Sequence, residues 1–313
     1  MPDAVFTAAG VGPLVSVQDA GRFGMMRFGV PASGPMDRVA FAIANVALGN
    51  PAGAAGVEVS VGGLTLDCVA GSVRFAVAGG GFVVAVDGQR GGSWMTGVVR
   101  AGQRLAILPG PWGSWTYLAF AGQMAATAWL GSSATHALSD LGGGRLVAGA
   151  QIKVQGADAG GKVAPIPCPV WARPRPVVRV VPGPQERYFD AGAMETLLTE
   201  PFQITDAYDR MGVRLRGPTL APDAPLNMPS EPVLRGSVQV AGDGVATVLL
   251  ADHQTTGGYP KIATVLDSDL DGFVQLRPQD WIRFQAVRPD QAIAVARQRR
   301  TAIDRYLATL TAV

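Results

Sequence analysis

Lysine is nearly missing from this 313-residue chain: Lys153, Lys162 and Lys261 are the only three, so 23 of the 26 basic residues are arginine. Histidine is as scarce. His136 and His253 belong to no HExxH pattern and have no acidic residue at metal-ligand spacing, which excludes a zinc hydrolase, and no metal site is expected. Two cysteines, Cys68 and Cys168, stand far apart, leaving neither a disulfide framework nor a CxxC motif, and both are read as ordinary buried thiols. An excess of one charge is also lacking: 26 basic against 24 acidic residues give a net charge of +2, which argues against a nucleic-acid partner. The longest apolar run, residues 73–86, is broken by Arg74 and falls short of the ~18 residues of a membrane span. Residues 1–15 have no basic segment ahead of their apolar residues, so no secretory signal is read and a cytoplasmic location is expected. Neither GxSxG nor a GxxxxGK[ST] loop occurs, and Gly79-Gly80-Gly81 reads as a tight turn between strands.

What is present is apolar material and punctuation. Hydrophobic residues make up 48% and charged residues 16%, enough for a large core. At roughly 100–200 residues per domain, the length suits two domains or one elaborate one. Gly and Pro, 41 and 23, imply many tight turns. After Ser33-Gly34-Pro35, residues Met36, Val39, Ala40, Ile43 and Ala47 follow a helical period, with Ser33 or Gly34 as cap and Gly49-Asn50-Pro51 as the stop. Val57, Val59 and Val61 alternate, a Gly pair intervenes, and Leu64 and Leu66 alternate again, which reads as a hairpin. Strands are expected at 73–78, 82–86, 98–108, 115–120 and 177–181, then in a hairpin turning at Gly242-Asp243-Gly244. A short helix is expected near 190–199 and a further helix at 290–310, the latter a docking or partner-facing helix. The Gly- then Pro-rich stretch 156–176 reads as a linker. The expected division is therefore residues 1–160, a linker at 161–176, and residues 177–313. Without regular β-α alternation, the fold class is mostly β, built from barrel-like domains with a few short helices.

Four polar clusters stand out. The run Asp252 to Lys261 crowds Gln254, Thr255, Thr256, Gly257, Gly258, Tyr259 and the rare Lys261 together. A compact cation beside a Gly pair suits phosphate, carboxylate or a developing oxyanion, and equally an exposed polar loop. Asp206 to Gly212 holds Asp209 next to Arg210, a pair that either orients a substrate or locks a turn. Gln18 to Arg22 and Ser33 to Arg38 flank Gly29-Val30-Pro31; Asp37 there is read first as a helix cap.

The strings VQDAGRFGMMRFGVPASGPMDR, ANVALGNP, VEVSVGG, DRMGVRLRGP and LLADHQTTGGYPKIATV occur in this order. Together they resemble the KipA-type family, also called allophanate hydrolase subunit 2 or the biotin-dependent carboxyltransferase family, which includes the C component of bacterial 5-oxoprolinase. The resemblance covers about residues 15–287. It implies two cyclophilin-like β-barrel domains and a KipI-type partner. For 5-oxoprolinase it implies that the B and C components activate 5-oxoproline with ATP, while the A component completes hydrolysis to glutamate. Phosphorylating the carbonyl oxygen of an unstrained lactam supplies the leaving group that the amide lacks. In the urea carboxylase branch a similar pair moves a carboxyl group from biotin to urea. This chain has no biotin-bearing Met-Lys-Met signature, so any biotin would sit on a separate carrier protein.

Three functions follow as expectations. The first is the C component of an ATP-dependent 5-oxoprolinase, active only with its partners and taking ATP with Mg²⁺ held largely through phosphate oxygens. The second is a carboxyltransferase component using carboxybiotin. The third is a non-catalytic regulator that binds a KipI-like protein. Under the first, Lys261 meets the anion or phosphoryl group, Thr255, Thr256, Gly257, Gly258 and Tyr259 line it, and Gln254 holds the substrate amide. Asp209 with Arg210, and Asp37 with Ser33, orient substrate. Two departures bear on substrate identity: relatives often carry an Arg within the segment that here reads Gly131 to Leu138 and contains His136, and an Arg where His253 stands.

Overall fold

The computed structural model describes residues 3–223 and 228–311. Its contacts group the chain into two units. The first takes the chain up to Arg22, Ser33–Arg173 and the stretch from Ile303 onward; the second takes Phe23–Ala32 and Pro174–Ala302. Both are built of short, mostly antiparallel strands, and four α-helices accompany them among the described residues: α1 (Arg38–Val46), α2 (Ala191–Thr199), α3 (Asp267–Phe273) and α4 (Pro289–Thr311).

In the first unit two antiparallel sheets share one core. The seven-stranded sheet runs in the order Gln123–Met124, Gln151–Gln155, Ala4–Val11, Leu64–Ala70, Arg104–Trp112, Gly81–Val86 and Gln89–Gly92. The five-stranded sheet runs Ser16–Gln18, Gly56–Ser60, Trp115–Phe120, Ser72–Ala78 and Met95–Arg100. Phe6 and Leu66 of one sheet meet Phe75 and Phe120 of the other, and Phe6 stacks on Phe120 at 4.9 Å between ring centroids. Each such buried aromatic stabilises by about 1.5–3 kcal/mol. Helix α1 covers the outer face of the five-stranded sheet, with Phe41 edge-on to Tyr117 at 5.6 Å. Burial on both faces explains why residues 75–78 read as continuously apolar: they lie on an inner strand of the five-stranded sheet, between Trp115–Phe120 and Met95–Arg100.

The second unit is a closed barrel of Val177–Pro182, Lys261–Val265, Ser237–Val240, Ala246–Leu249, Gly212–Arg216, Phe202–Tyr208 and Trp281–Ala286, the last strand pairing in parallel with the first. Alternation fills its interior with Val180, Ile204, Val213, Val238, Val248 and Phe284, all buried. The bore is a packed core, so polar chemistry is confined to the outer face and the loops.

Several expectations need correction. Residues 57–61 and 64–66 are not a hairpin. Gly56–Ser60 pairs with Ser16–Gln18 and Trp115–Phe120, while Leu64–Ala70 pairs with Ala4–Val11 and Arg104–Trp112, so the Gly pair sends the chain from one sheet to the other. Residues 98–108 are two strands separated by a turn at Ala101-Gly102. Helix α1 begins three residues beyond Pro35, because Asp37 is its cap and accepts from the Ala40 N–H at 2.9 Å. Helix α3 has no sequence signature. Cys68 is buried, but Cys168 is only half-buried. Residues 156–173 are not a free linker. The Asp158 carbonyl accepts from the Arg74 N–H at 2.7 Å, the Ala164 carbonyl from the Thr96 N–H at 2.9 Å, and the Ile166 N–H donates to the Trp94 carbonyl at 2.7 Å. The contiguous division at 161–176 also differs from the observed grouping, in which Phe23–Ala32 belongs with the second unit and the end of α4 with the first. The expected C-terminal helix is present as α4, and near its end Tyr306 meets Trp171 edge-on at 5.7 Å.

Candidate active site

Four residues form one row across the barrel wall. Arg214 pairs with Thr247, Thr247 with Gln239, and Gln239 with Lys261, on four adjacent strands. Directly opposed residues in antiparallel strands put their side chains on the same face. Here that face is the outer one, since the neighbours Val213, Val248 and Val238 fill the bore. Lys261 joins the row through a bulge: the register moves from Val238↔Ala263 to Gln239↔Lys261, leaving Ile262 unpaired. A bulge re-aims a side chain, and this one places the lysine beside Gln239.

The backbone freed by the bulge is held by Gln185, which sequence reasoning missed. Its Oε1 accepts from the Lys261 N–H at 2.9 Å, its own N–H donates to the Lys261 carbonyl at 3.2 Å, and its Nε2 donates to Glu231 Oε2 at 2.5 Å. The Lys261 ammonium is buried, 3.8 Å from Glu231 Oε2 and 3.4 Å from the Pro232 carbonyl. Burial pushes its pKa down, and the Glu231 carboxylate opposes that shift.

A groove of about 540 Å³ lies over the rest of the row. Gln239, Thr247 and Arg214 contribute to its lining, together with the turn at 206–212 and with Gln254 and Tyr259. Two sequence clusters, around Asp209 and around Gln254, thus come together. Gln239 links them internally: its Nε2 donates to the Tyr259 carbonyl at 3.3 Å, and its Oε1 accepts from Gln254 Nε2 at 3.1 Å. Gly257 is required by this contact, because a Cβ there would lie 2.4 Å from Gln239 Nε2. At Gly258 a Cβ would meet only Ser230 Oγ, at an ordinary contact distance of 3.8 Å, so no such reason requires a glycine there. Thr256 and Gly257 pair with Pro232 and Glu231, and the Thr255 carbonyl accepts from the Val233 N–H at 3.1 Å. The threonine loop is therefore tied to the Glu231 segment beside Lys261.

Other expected residues have structural employment. Arg210 is fully buried and forms a bidentate pair with Asp252, both N–O distances 2.9 Å, so its guanidinium does not face the groove. The Asp209 carboxylate accepts from the Met211 N–H at 2.7 Å and the Gly212 N–H at 3.2 Å, closing an Asx turn at the groove wall. His253 is buried with Nδ1 donating to the Gln254 carbonyl at 2.6 Å, and burial pushes its pKa down.

Ser33 and Asp37 belong to the first unit, not to the unit that carries Lys261. Asp37 caps α1 while its N–H donates to Tyr117 Oη at 2.6 Å. Tyr117 in turn donates to Glu58 Oε2 at 3.0 Å, and burial foremost, with the Glu58 and Asp37 charges, raises the phenol pKa well above its ordinary value. The Gln18-to-Arg22 cluster is a clamp. Asp19 accepts from Ser132 Oγ and the Ser133 N–H, both at 2.6 Å, and Arg22 donates to the carbonyls of Trp129, Ser132 and Ala134. Among the described residues no group of three or more His, Cys, Asp or Glu side chains is placed to hold a metal ion. No described helix is long and apolar enough to cross a membrane.

Known proteins match almost the whole of this chain in sequence and in architecture. Residues 28–286 match the family described as carboxyltransferase domain, subdomain A and B. The C component of 5-oxoprolinase from Haemophilus influenzae is 34% identical over 297 residues, 92% of this chain and 93% of that protein. Its counterpart from Escherichia coli, of the same name, is 31% identical, over 90% of this chain and 91% of its own length. Among solved structures, the urea amidolyase of K. lactis superposes with a TM-score of 0.86 at 25% identity, covering 96% of this chain and 20% of that enzyme. The fold and the ordered motifs agree with these likenesses, and the chain belongs to the carboxyltransferase subdomain A and B family that includes the C component of 5-oxoprolinase.

Proposed function

We propose that this chain is the C component of an ATP-dependent 5-oxoprolinase, working with a KipI-like B component and an A component to open 5-oxoproline to glutamate. The observation that carries this reading is the end-to-end likeness, at 34% and 31% identity, to two proteins of that name. The groove supports it chemically. 5-Oxoproline is a small lactam with an N–H, a carbonyl and a carboxylate; the lining offers the Gln254 amide and the Arg214 guanidinium, whose present partner is the exposed Asp243 carboxylate at 2.8 Å. An exposed ion pair of this kind is worth little and exchanges readily for a ligand carboxylate.

The same residues do not fit a triphosphate. The Lys261 ammonium is buried against Glu231 and the Pro232 carbonyl, and the groove wall adds the carboxylates of Asp206 and Asp209. We assign nucleotide binding to the assembled enzyme and give Lys261 an electrostatic role at the end of the row. There its charge and that of Arg214 stand at the two ends of the row, with Thr247 and Gln239 between them.

The test is ATP hydrolysis by the chain co-expressed with its B and A partners, with and without 5-oxoproline, following glutamate. Glutamate release that needs all components and ATP is expected, with a loss of at least tenfold for Lys261→Ala in the intact complex, the scale of one lost electrostatic contact. Normal turnover by that variant removes the role given to Lys261. A second reading, a carboxyltransferase component fed by a separate biotin carrier, is favoured by the family description and by the urea amidolyase likeness. It predicts bicarbonate-dependent carboxylation of an amide or urea and no glutamate.

A further inference from the structure

Gln239, a residue that no sequence cluster contains, is nine-tenths buried and contributes to the lining of the groove. The polarity of its side-chain amide is fixed by one neighbour. The Tyr259 carbonyl can only accept, so the Gln239 group facing it at 3.3 Å is the NH₂. Gln239 Oε1 then faces Gln254 at 3.1 Å, and an oxygen there requires Gln254 to present its own NH₂. The chain of donors thus runs Gln254 to Gln239 to Tyr259 and leaves Gln254 Oε1, an acceptor with two lone pairs, as the atom available to a ligand in the groove. Gly257 keeps the relay in place by leaving no Cβ where Gln239 Nε2 sits.

We propose that Gln239 is a positioning residue that locks Gln254 with its carbonyl oxygen toward the groove, so that the groove selects ligands carrying an N–H donor. The inference rests on the reading of the groove as a lactam or amide site, and it adds the sign of the recognition. A ligand whose ring nitrogen donates is bound, and its ring-oxygen counterpart, which can only accept, places a lone pair against Gln254 Oε1. Without Gln239 the Gln254 amide can rotate and offer either end, so discrimination falls while affinity for the oxygen analogue does not.

The test is calorimetric binding to the full-length chain in complex with its partners, using matched pairs: 5-oxoproline against its γ-lactone analogue, and 2-pyrrolidone against γ-butyrolactone. The wild type is expected to favour the lactam of a pair by about tenfold or more, the scale of one hydrogen bond replaced by a lone-pair clash. Gln239→Leu and Gln254→Ala are each expected to bring the ratio to near unity. In ¹⁵N-labelled protein the side-chain NH₂ signals of Gln239 and Gln254 should exchange slowly with water, and that of Gln254 should lose its protection in Gln239→Leu. A folded Gln239→Leu protein that keeps the wild-type ratio overturns the proposal, as does a wild type that shows no preference or binds neither member of either pair. If 2-pyrrolidone is preferred over its lactone but 5-oxoproline does not bind, the relay stands and the assignment of 5-oxoproline falls.

Discussion

The guanidinium of Arg210 and the carboxylate of Asp252 meet in a buried bidentate pair, 42 residues apart in the chain. Around it the Asp252 N–H donates to the Arg210 carbonyl at 2.8 Å and the Leu250 N–H to the Met211 carbonyl at 2.9 Å. This knot joins the turn at 206–212 to the start of the loop at 252–260, and so brings the two walls of the groove together.

Arg210→Ala is expected to destabilise the chain by about 3–5 kcal/mol, because it leaves the Asp252 carboxylate buried without its cation. Replacing both partners with apolar residues, Arg210→Met with Asp252→Leu, should recover most of that loss. Urea denaturation of the three proteins measures it, and an Arg210→Ala variant within 1 kcal/mol of the wild type on the ~3–5 kcal/mol scale would contradict the role given to the pair.

Lys261 should titrate below an ordinary lysine, because burial disfavours its charged form while Glu231 only partly offsets this. Glu231→Gln removes the offset and should move the titration lower still. With only three lysines in the chain, NMR of the Cε resonances resolves each one. A Lys261 midpoint unchanged by Glu231→Gln would show that the two groups do not interact.

His253 gives an acid-side dependence. Its folded-state pKa lies below the ordinary value of 6.5, so below that pH the unfolded chain binds the proton and the native one resists it. Stability from this group is therefore present above pH 6.5 and is lost as pH falls from 6.5 through the folded-state value. His253→Asn, which can keep the donor to the Gln254 carbonyl, should flatten the stability profile below pH 6.5. Thermal melts of both proteins across this range decide it.

Gly257→Ala should cost about 1–3 kcal/mol, since the added methyl meets Gln239 Nε2 at 2.4 Å and Val233 Cγ1 at 3.1 Å. Shortening the opposing side chain, Gly257→Ala with Gln239→Ala, should be less destabilising than the sum of the single changes. Gly258→Ala combined with Gln239→Ala should be additive, because the methyl at 258 meets Ser230 Oγ at 3.8 Å and not Gln239.

Much of the architecture was legible in local pattern. Strands such as Trp115–Phe120 and Val177–Pro182 fall where alternation and turn residues place them, and Asp190 caps α2 by accepting from the Ala193 N–H at 2.6 Å. The family was legible too, in motifs whose order survives although their roles differ. Of the site, the sequence pointed to Gln254, Tyr259 and Lys261, because polar groups and a rare lysine crowd one short run. It could not separate Arg210 from a substrate ligand, since a buried guanidinium and a working one carry the same letter. Gln185, Glu231 and Gln239 were invisible, being single polar residues in three distant segments.

By itself, then, the sequence determined which segments alternate, where the chain turns and which family it joins, because those depend on neighbours within a few residues. Only the tertiary structure decided which strands share a sheet, that the bulge at Ile262 turns Lys261 into the row of Gln239, and that Asp252 takes Arg210 out of reach of a ligand. Register, burial and the direction of a side-chain amide are set by groups that meet only after the barrel closes, and no local pattern encodes them.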